Sequence, residues 1–361
     1  MKKAFYLSLI ITVLSFTTIA QKLEKPTLTP SLPTAAQQKT LQEGVELHDA
    51  KKYAEAIAKY QSILVENHDC TGAMYEMANS LYAKGDKEKA VEMANLGSKY
   101  ISDELPLFYV VMANALDDYG KPEAAINIYR EGLRLLEGDK RFGQYRGSLY
   151  YNLGVTCIQQ KKYDDARSAL KSAVESDYNY PSPHYLLSYT FNGTRYKIPA
   201  LLAASRFIAL EFNTPRAQKA ASIITDILKP APKDPKTGNT VISLDFGAPA
   251  DEGEFTGTNM LIGTLMTRLD DKDKKKTDNE MFVEGMGTVI ALIAEDKKAA
   301  STFVGRNYIP FMVDMKKNGH VETFAYLTLY LSGKADAMTW LKNNDAKFGS
   351  FLAWAKAYRL P

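Results

Sequence analysis

Apolar and polar positions alternate along most of this chain with the period of a helix. Between about residue 37 and residue 228 the apolar positions recur three and four apart, and turn residues interrupt them at regular intervals. This pattern predicts paired amphipathic helices. The most informative feature is a set of small residues at a fixed place in the second helix of each pair: Ala56, Ala90, Ala125, Ala166 and Ala200. Their spacings are 34, 35, 41 and 34 residues. A second series, Gly44, Ala78, Ala113, Gly154 and Ser188, lies twelve residues earlier on the first helix. Two helices whose axes come within roughly 8–10 Å need a small side chain on each where they cross. The larger residues Tyr53, Tyr60, Leu81, Leu116, Tyr129, Leu153, Tyr163 and Leu170 fall at helical spacing around them and are expected to fill the remaining contacts. The longer interval before Ala166 reads as an insertion near Glu137 to Arg146.

The stretch Tyr150 to Val174 carries Tyr-Tyr-Asn-Leu-Gly, then Lys-Lys-Tyr-Asp-Asp-Ala, then Ala-Leu-Lys-Ser-Ala-Val. On these residues it resembles the tetratricopeptide repeat, and Gly44 to Leu64 is a second good copy. Five in-phase copies cover residues 37–228. The resemblance implies an all-α fold, a solenoid of about five helix-turn-helix repeats whose first helices line a concave face. It places Leu41, Val45, His48, Tyr75, Asn79, Tyr82, Val110, Asn114, Asp117, Tyr151, Val155, Ile158, Tyr185, Tyr189 and Asn192 on that face. Tyr offers wide contact at low entropic cost, and Asn can hydrogen-bond a peptide backbone. Tyr75, Asn79, Tyr82, Asn114, Asp117, Tyr151, Tyr185, Tyr189 and Asn192 are therefore the candidate protein-binding residues. The family's carboxylate-clamp form needs basic residues here, and this face is almost free of Lys and Arg.

The ends and the last third differ in texture. Lys2 and Lys3 precede an uncharged, mostly apolar run from Ala4 to Thr17, and Thr18-Ile19-Ala20 closes it with small residues. That is the pattern of a secretory signal peptide over 1–20, too short for the roughly 20 residues of a spanning helix. The Ala20-Gln21 junction resembles those of exported Gram-negative proteins, so a periplasmic or secreted location is expected. Residues 21–36 hold Pro26, Pro30 and Pro33 and read as an extended leader without a packed core. Residues 229–257 are a Pro- and Gly-rich linker in which Val241 to Phe246 alternates like a short strand. Residues 258–361 return to helical periodicity and form a small helical C-terminal domain, with Ala337 and Gly333 faintly echoing the repeat.

Charge and chemistry narrow the function classes. The chain has 45 Lys and Arg against 42 Asp and Glu, a formal charge of +3, of which Lys2 and Lys3 leave with the signal. Nucleic acid is disfavoured as a partner. The four His never fall two to five apart, so no metal motif is present, and no Walker, Rossmann or G-x-S-x-G signature occurs. Cys70 and Cys157 are expected as two buried free thiols. The Asp270 to Lys276 run lacks the glycine of a calcium loop and is rich in Lys, so it reads as a solvated turn. Asp251-Glu252-Gly253-Glu254 reads as exposed linker. No cofactor and no catalytic residue is indicated. The expectation is an exported, non-catalytic adaptor for a protein or peptide, against two alternatives: a structural, self-assembling component, or an enzyme with its chemistry in the C-terminal helices.

Overall fold

The computed structural model describes residues 23–230, 232–239, 241, 252, 253, 255, 257–262, 276–296 and 298–361. Isolated bridges apart, the regular structure among these residues is helical only. The chain divides into two compact units, 1–138 and 139–361. The Val241 to Phe246 segment and the Asp270 to Lys276 run lie almost wholly outside the described residues.

The first unit holds three helix hairpins. They are α1 (Ala35–Asp49) with α2 (Tyr53–Glu66), α3 (Thr71–Lys84) with α4 (Lys87–Gly97), and α5 (Leu105–Asp118) with α6 (Pro122–Leu135). Thr34 starts α1 with a capping box: its hydroxyl accepts from Gln37 N, and the Gln37 side chain accepts from Thr34 N. Each hairpin turns through one left-handed residue, at Lys51, Gly85 and Gly120. Each lies five residues before its second-helix alanine. Gly85, with φ of +96°, adopts this conformation without the Cβ penalty that Lys51 bears. The crossings are as tight as the small residues require. Ala56, Ala78, Ala90, Ala113 and Ala125 are all fully buried, and a Cβ on Gly44 would fall inside the Tyr60 ring.

The leader is extended but not loose. Leu23 is buried, Thr27 N and Leu28 N both donate to Lys99 O at 3.0 Å, and Ile101 N donates to Leu28 O at 2.8 Å. Ser31 N donates to Asp69 O at 3.1 Å, and the Asn67 amide donates to Leu32 O at 3.2 Å. The strap thus runs past the α4–α5 loop and the α2–α3 loop, using backbone groups that those loops expose.

The second unit opens with a 3-10 turn, Lys140–Phe142, which absorbs the insertion. Two hairpins follow, α7 (Gly143–Gln159) with α8 (Tyr163–Ser176), and α9 (Pro181–Gly193) with α10 (Lys197–Leu210). Lys161 and Arg195 repeat the left-handed turn five residues before Ala166 and Ala200. Pro199 lies in the first turn of α10, where its missing N–H costs nothing. Tyr163, expected in the packing, is instead 45% exposed. Cys157 is buried here, as Cys70 is in the first unit, and the two form no disulfide.

Beyond α11 (Pro215–Ile227) come α12 (Asp278–Glu295), α13 (Phe303–Asn307), α14 (Ile309–Lys317), α15 (Val321–Leu331), α16 (Ala335–Asn343) and α17 (Asp345–Ala357). One continuous apolar core runs from Leu170 and Leu187 through Phe207 and Ile224 to Met286, Phe311, Phe324 and Phe351. The terminal helices therefore pack directly on α9–α11. α15 and α16 form a further hairpin of the same plan. Ala325 and Ala337, again twelve apart, are fully buried, Gly333 makes the left-handed turn, and Tyr326 stacks on Trp340 at 4.1 Å.

The crossing rule gives a sign-reversing test. A Cβ on Gly154 would come within 2.8 Å of Leu170 Cγ and Cδ2. Gly154→Ala is expected to destabilise by about 1–2 kcal/mol, overpacking outweighing the helix propensity gained. In a Leu170→Ala background the same change is expected to stabilise, by up to about 1 kcal/mol. Urea midpoints of the four proteins decide it, and a Gly154→Ala cost that persists without the leucine side chain would refute the crossing argument.

Candidate protein-binding site

In the first unit the face of interest is built by α1, α3 and α5. Leu41, Val45, His48, Tyr75, Asn79, Tyr82, Val110, Asn114 and Asp117 are all half-buried. None belongs to the core and none stands clear of the surface, as expected of a face lined by neighbouring helices. Contacts between successive hairpins fix several of them. His48 Nδ1 lies 2.7 Å from Ser80 Oγ, linking α1 to α3. Tyr75 meets the Phe108 ring edge-on at 6.1 Å. The Tyr82 hydroxyl donates to Asp118 Oδ2 at 2.9 Å. Burial first, then that bond and the charges of Asp118 and Asp117, push the Tyr82 phenol up to about 12. Tyr129 reaches over from α6 and donates to Asn114 Oδ1, which leaves the Asn114 amide N–H groups to point elsewhere. Lys87 donates to Asp118 O at 2.7 Å.

In the second unit α7 and α9 supply the corresponding residues. Tyr151 packs edge-on against Tyr180 at 5.3 Å, and Tyr185 packs on Phe207 at 5.1 Å. Tyr189, 61% exposed, and Asn192 stand out from the helix. Val155 and Ile158 are half-buried. A basic residue also reaches this face. Arg216, from α11, lies over the Tyr185 ring at 5.5 Å and is held by Glu211 at 2.6 Å and Ser182 at 3.1 Å. Inward positions of the repeats could not reveal it, because it comes from the helix after them.

A second polar feature overturns an expectation. Glu252 is not exposed linker: only 1% of its side chain is accessible, and its Oε1 receives Lys171 Nζ at 2.9 Å and Arg167 Nε at 3.3 Å. Arg167 also pairs with Asp164 on the outer side of α8. These residues line a cleft of about 520 Å³ with Ser168, Ser172, Thr302 and Arg306. Its charges compensate one another, since Arg306 in turn pairs with Glu175 at 3.3 Å.

Deeper in the second unit lies a polar cluster centred on the fully buried Arg206 and His184. Arg206 Nη2 donates to Asn179 Oδ1 at 2.8 Å and Nη1 to Ala355 O at 3.4 Å. The rings of Tyr178, Phe311 and Tyr358 surround the guanidinium at 4.4, 5.0 and 5.6 Å. His184 bridges Tyr178 O and the Tyr308 hydroxyl, both at 2.9 Å. Burial, with Arg206 nearby, pulls His184 down to about 3, although the Tyr178 carbonyl works the other way. This cluster ties α9 and α10 to α14 and α17, and Arg206, His184 and Tyr308 at its centre are shut off from solvent, as suits a role in folding. Among the described residues no group of three or more His, Cys, Asp or Glu could hold a metal ion. No described helix is long and apolar enough to cross a membrane.

The family model for the tetratricopeptide repeat matches residues 147–180. No curated protein matches the chain. Among solved structures, a thermophilic TPR protein of Thermus thermophilus is 18% identical, with 52% of this chain and 99% of that chain covered and a TM-score of 0.41. PilF of Pseudomonas aeruginosa is 13% identical, with 73% and 95% covered and a TM-score of 0.41. YrrB, a TPR protein with an unusual peptide-binding site, is 17% identical, with 51% and 90% covered and a TM-score of 0.38. Likenesses this distant carry no functional weight.

The buried histidine predicts an acid limit. An unfolded chain protonates His184 near pH 6.5 and the native one only near 3. Its contribution is therefore intact above pH 6.5 and is lost as pH falls below that value, at up to about 1.4 kcal/mol per unit. Between pH 6.5 and 5, before most carboxylates titrate, the native protein should lose about 2 kcal/mol more than His184→Gln. Equal slopes in chemical denaturation across that window would contradict the buried neutral imidazole.

Proposed function

From a chain that carries a tetratricopeptide repeat at 147–180 and repeats its hairpin plan elsewhere, we propose that the protein is an exported, non-catalytic scaffold. It binds an extended segment or helix of another cell-envelope protein through its Tyr- and Asn-lined faces. The observation that carries this reading is the half-buried row Tyr75, Asn79, Tyr82, Asn114 and Asp117 on one side of α3 and α5. Side chains already held by their neighbours lose little rotamer freedom when a partner covers them.

Each half of the proposal has its own measurement. Intact mass of the protein recovered from its native cells should begin at Gln21, and a retained Met1 to Ala20 would sink the export claim. In-cell crosslinking followed by pull-down should recover one dominant partner with the native chain. That partner should be lost, with circular dichroism unchanged, when Tyr75, Asn79, Tyr151 and Tyr185 are all replaced by Ala. Undiminished recovery with the quadruple variant would remove these faces from the binding role.

A further inference from the structure

The cleft beside α8 is built to hold a carboxylate. Arg167 and Lys171 are four apart, so one face of α8 presents both. The Arg167 side chain is 5% exposed and lies over the Tyr196 ring at 5.4 Å. Lys171 is 12% exposed and lies over the Phe303 ring at 5.6 Å. Both cations reach the same oxygen, Glu252 Oε1, at 2.9 Å from Lys171 Nζ and 3.3 Å from Arg167 Nε. Glu252 does not belong to the repeats. It arrives from the stretch between α11 and α12, and Gly253, with φ of +89°, turns the chain directly after it. Phe255 then enters the apolar core. A helix of the repeat thus makes the seat, and a separate stretch of the same chain fills it.

This occupant does not complete the site. Arg167 Nη1 is buried and has no hydrogen-bond partner, which leaves a guanidinium donor without its acceptor. About 520 Å³ of open cleft remains beside the seat, lined by the hydroxyls of Ser168, Ser172 and Thr302. Arg306, 56% exposed, stands at the rim in a pair with Glu175 that water screens. Charge then decides what can enter. Three basic and three acidic described side chains line the cleft, so it is neutral while Glu252 is seated and positive once Glu252 leaves. Exchanging one carboxylate for another keeps that balance, whereas an empty seat leaves buried cations unpaired.

We propose that this cleft is a second docking site, for an extended partner segment bearing an acidic residue, and that Glu252 is its resident stand-in. The partner's carboxylate takes the seat as Glu252 leaves it, and further acceptors of that segment meet Arg167 Nη1 and the cleft hydroxyls. Until then the tethered Glu252 competes at high effective concentration and closes the site to weak or neutral ligands. The site lies on a second helix of the repeat plan and does not depend on the tyrosine-lined faces. A basic segment would meet Arg167 and Lys171 as like charge.

The test uses the full chain and a labelled synthetic peptide of residues 248–258, with its glutamate at 252 kept or changed to Gln. Fluorescence polarisation is expected to show the Glu peptide binding Glu252→Gln protein roughly tenfold or more tightly than the native chain, because the tethered competitor has lost its charge. The Gln peptide should bind both proteins more weakly. Adding Lys171→Gln to the Glu252→Gln protein should abolish binding, with circular dichroism unchanged. A second reading needs no variant: saturating Glu peptide should speed hydrogen exchange in the native chain's own 252–255 stretch, and the Gln peptide should not. Equal affinity for native and Glu252→Gln protein, equal binding of the two peptides, or unchanged exchange overturns the proposal. Displacement of the Glu peptide by equimolar inorganic phosphate overturns the protein segment in favour of a free anion.

Discussion

The close helix crossing is the constraint on which the other features depend. Each hairpin brings two backbones together at a pair of small residues twelve apart, and the side chain sixteen residues after the first of them completes the contact. Tyr60 fills the space over Gly44, and Leu170 fills the space over Gly154. Ala94, Tyr129, Ala204 and Leu341 occupy the same place in their hairpins, all buried. Where that residue is Tyr129, its hydroxyl reaches Asn114 on the lined face. Tyr129 thereby orients Asn114. Packing and site chemistry are thus the same side chains seen from two ends.

The second unit uses this geometry differently. Its equivalent residues, Leu170 and Ala204, carry no polar tip, and its polar interior is instead the Arg206–His184 cluster. A guanidinium among Tyr178, Phe311 and Tyr358 keeps its charge in an aromatic surround with only two hydrogen bonds. Such a group contributes little net stability against an apolar replacement, but removing one partner is costly, because the other is then buried and unpaired. Its consequence here is registration: α17 can meet α10 only where Ala355 O finds Arg206.

What could be read along the chain follows from what is local. The hairpins, their turns and the inward positions repeat with a period, so Ala56 to Ala200 and Gly44 to Ser188 locate them without coordinates. The α15–α16 hairpin left only a faint trace, because one isolated copy with Gly333 and Ala337 has no period to stand against. Contacts made by single residues from distant segments left none. Arg206 looks like any charge in an otherwise apolar helix, Arg216 belongs to a helix outside the repeat, and Glu252 sits in a stretch whose composition signals exposure. The leader's Pro26, Pro30 and Pro33 do forecast an extended conformation, but not that its backbone satisfies Lys99 and Asp69 carbonyls. Hydrogen bonds between backbones carry no residue signature.

The two lined faces, alike in composition, differ in how they could discriminate. Specificity is a difference between affinities, and it comes as much from what a surface repels as from what it attracts. On the first-unit face the repulsive element is Asp117 and Asp118 beside Tyr82, where an arriving acidic side chain meets like charge. On the second-unit face Arg216 is already held by Glu211 and Ser182 and shields the Tyr185 ring. That leaves shape and the exposed Tyr189 to select a ligand. A segment suited to one face therefore has little reason to suit the other, and a shared richness in tyrosine and asparagine does not make equal sites.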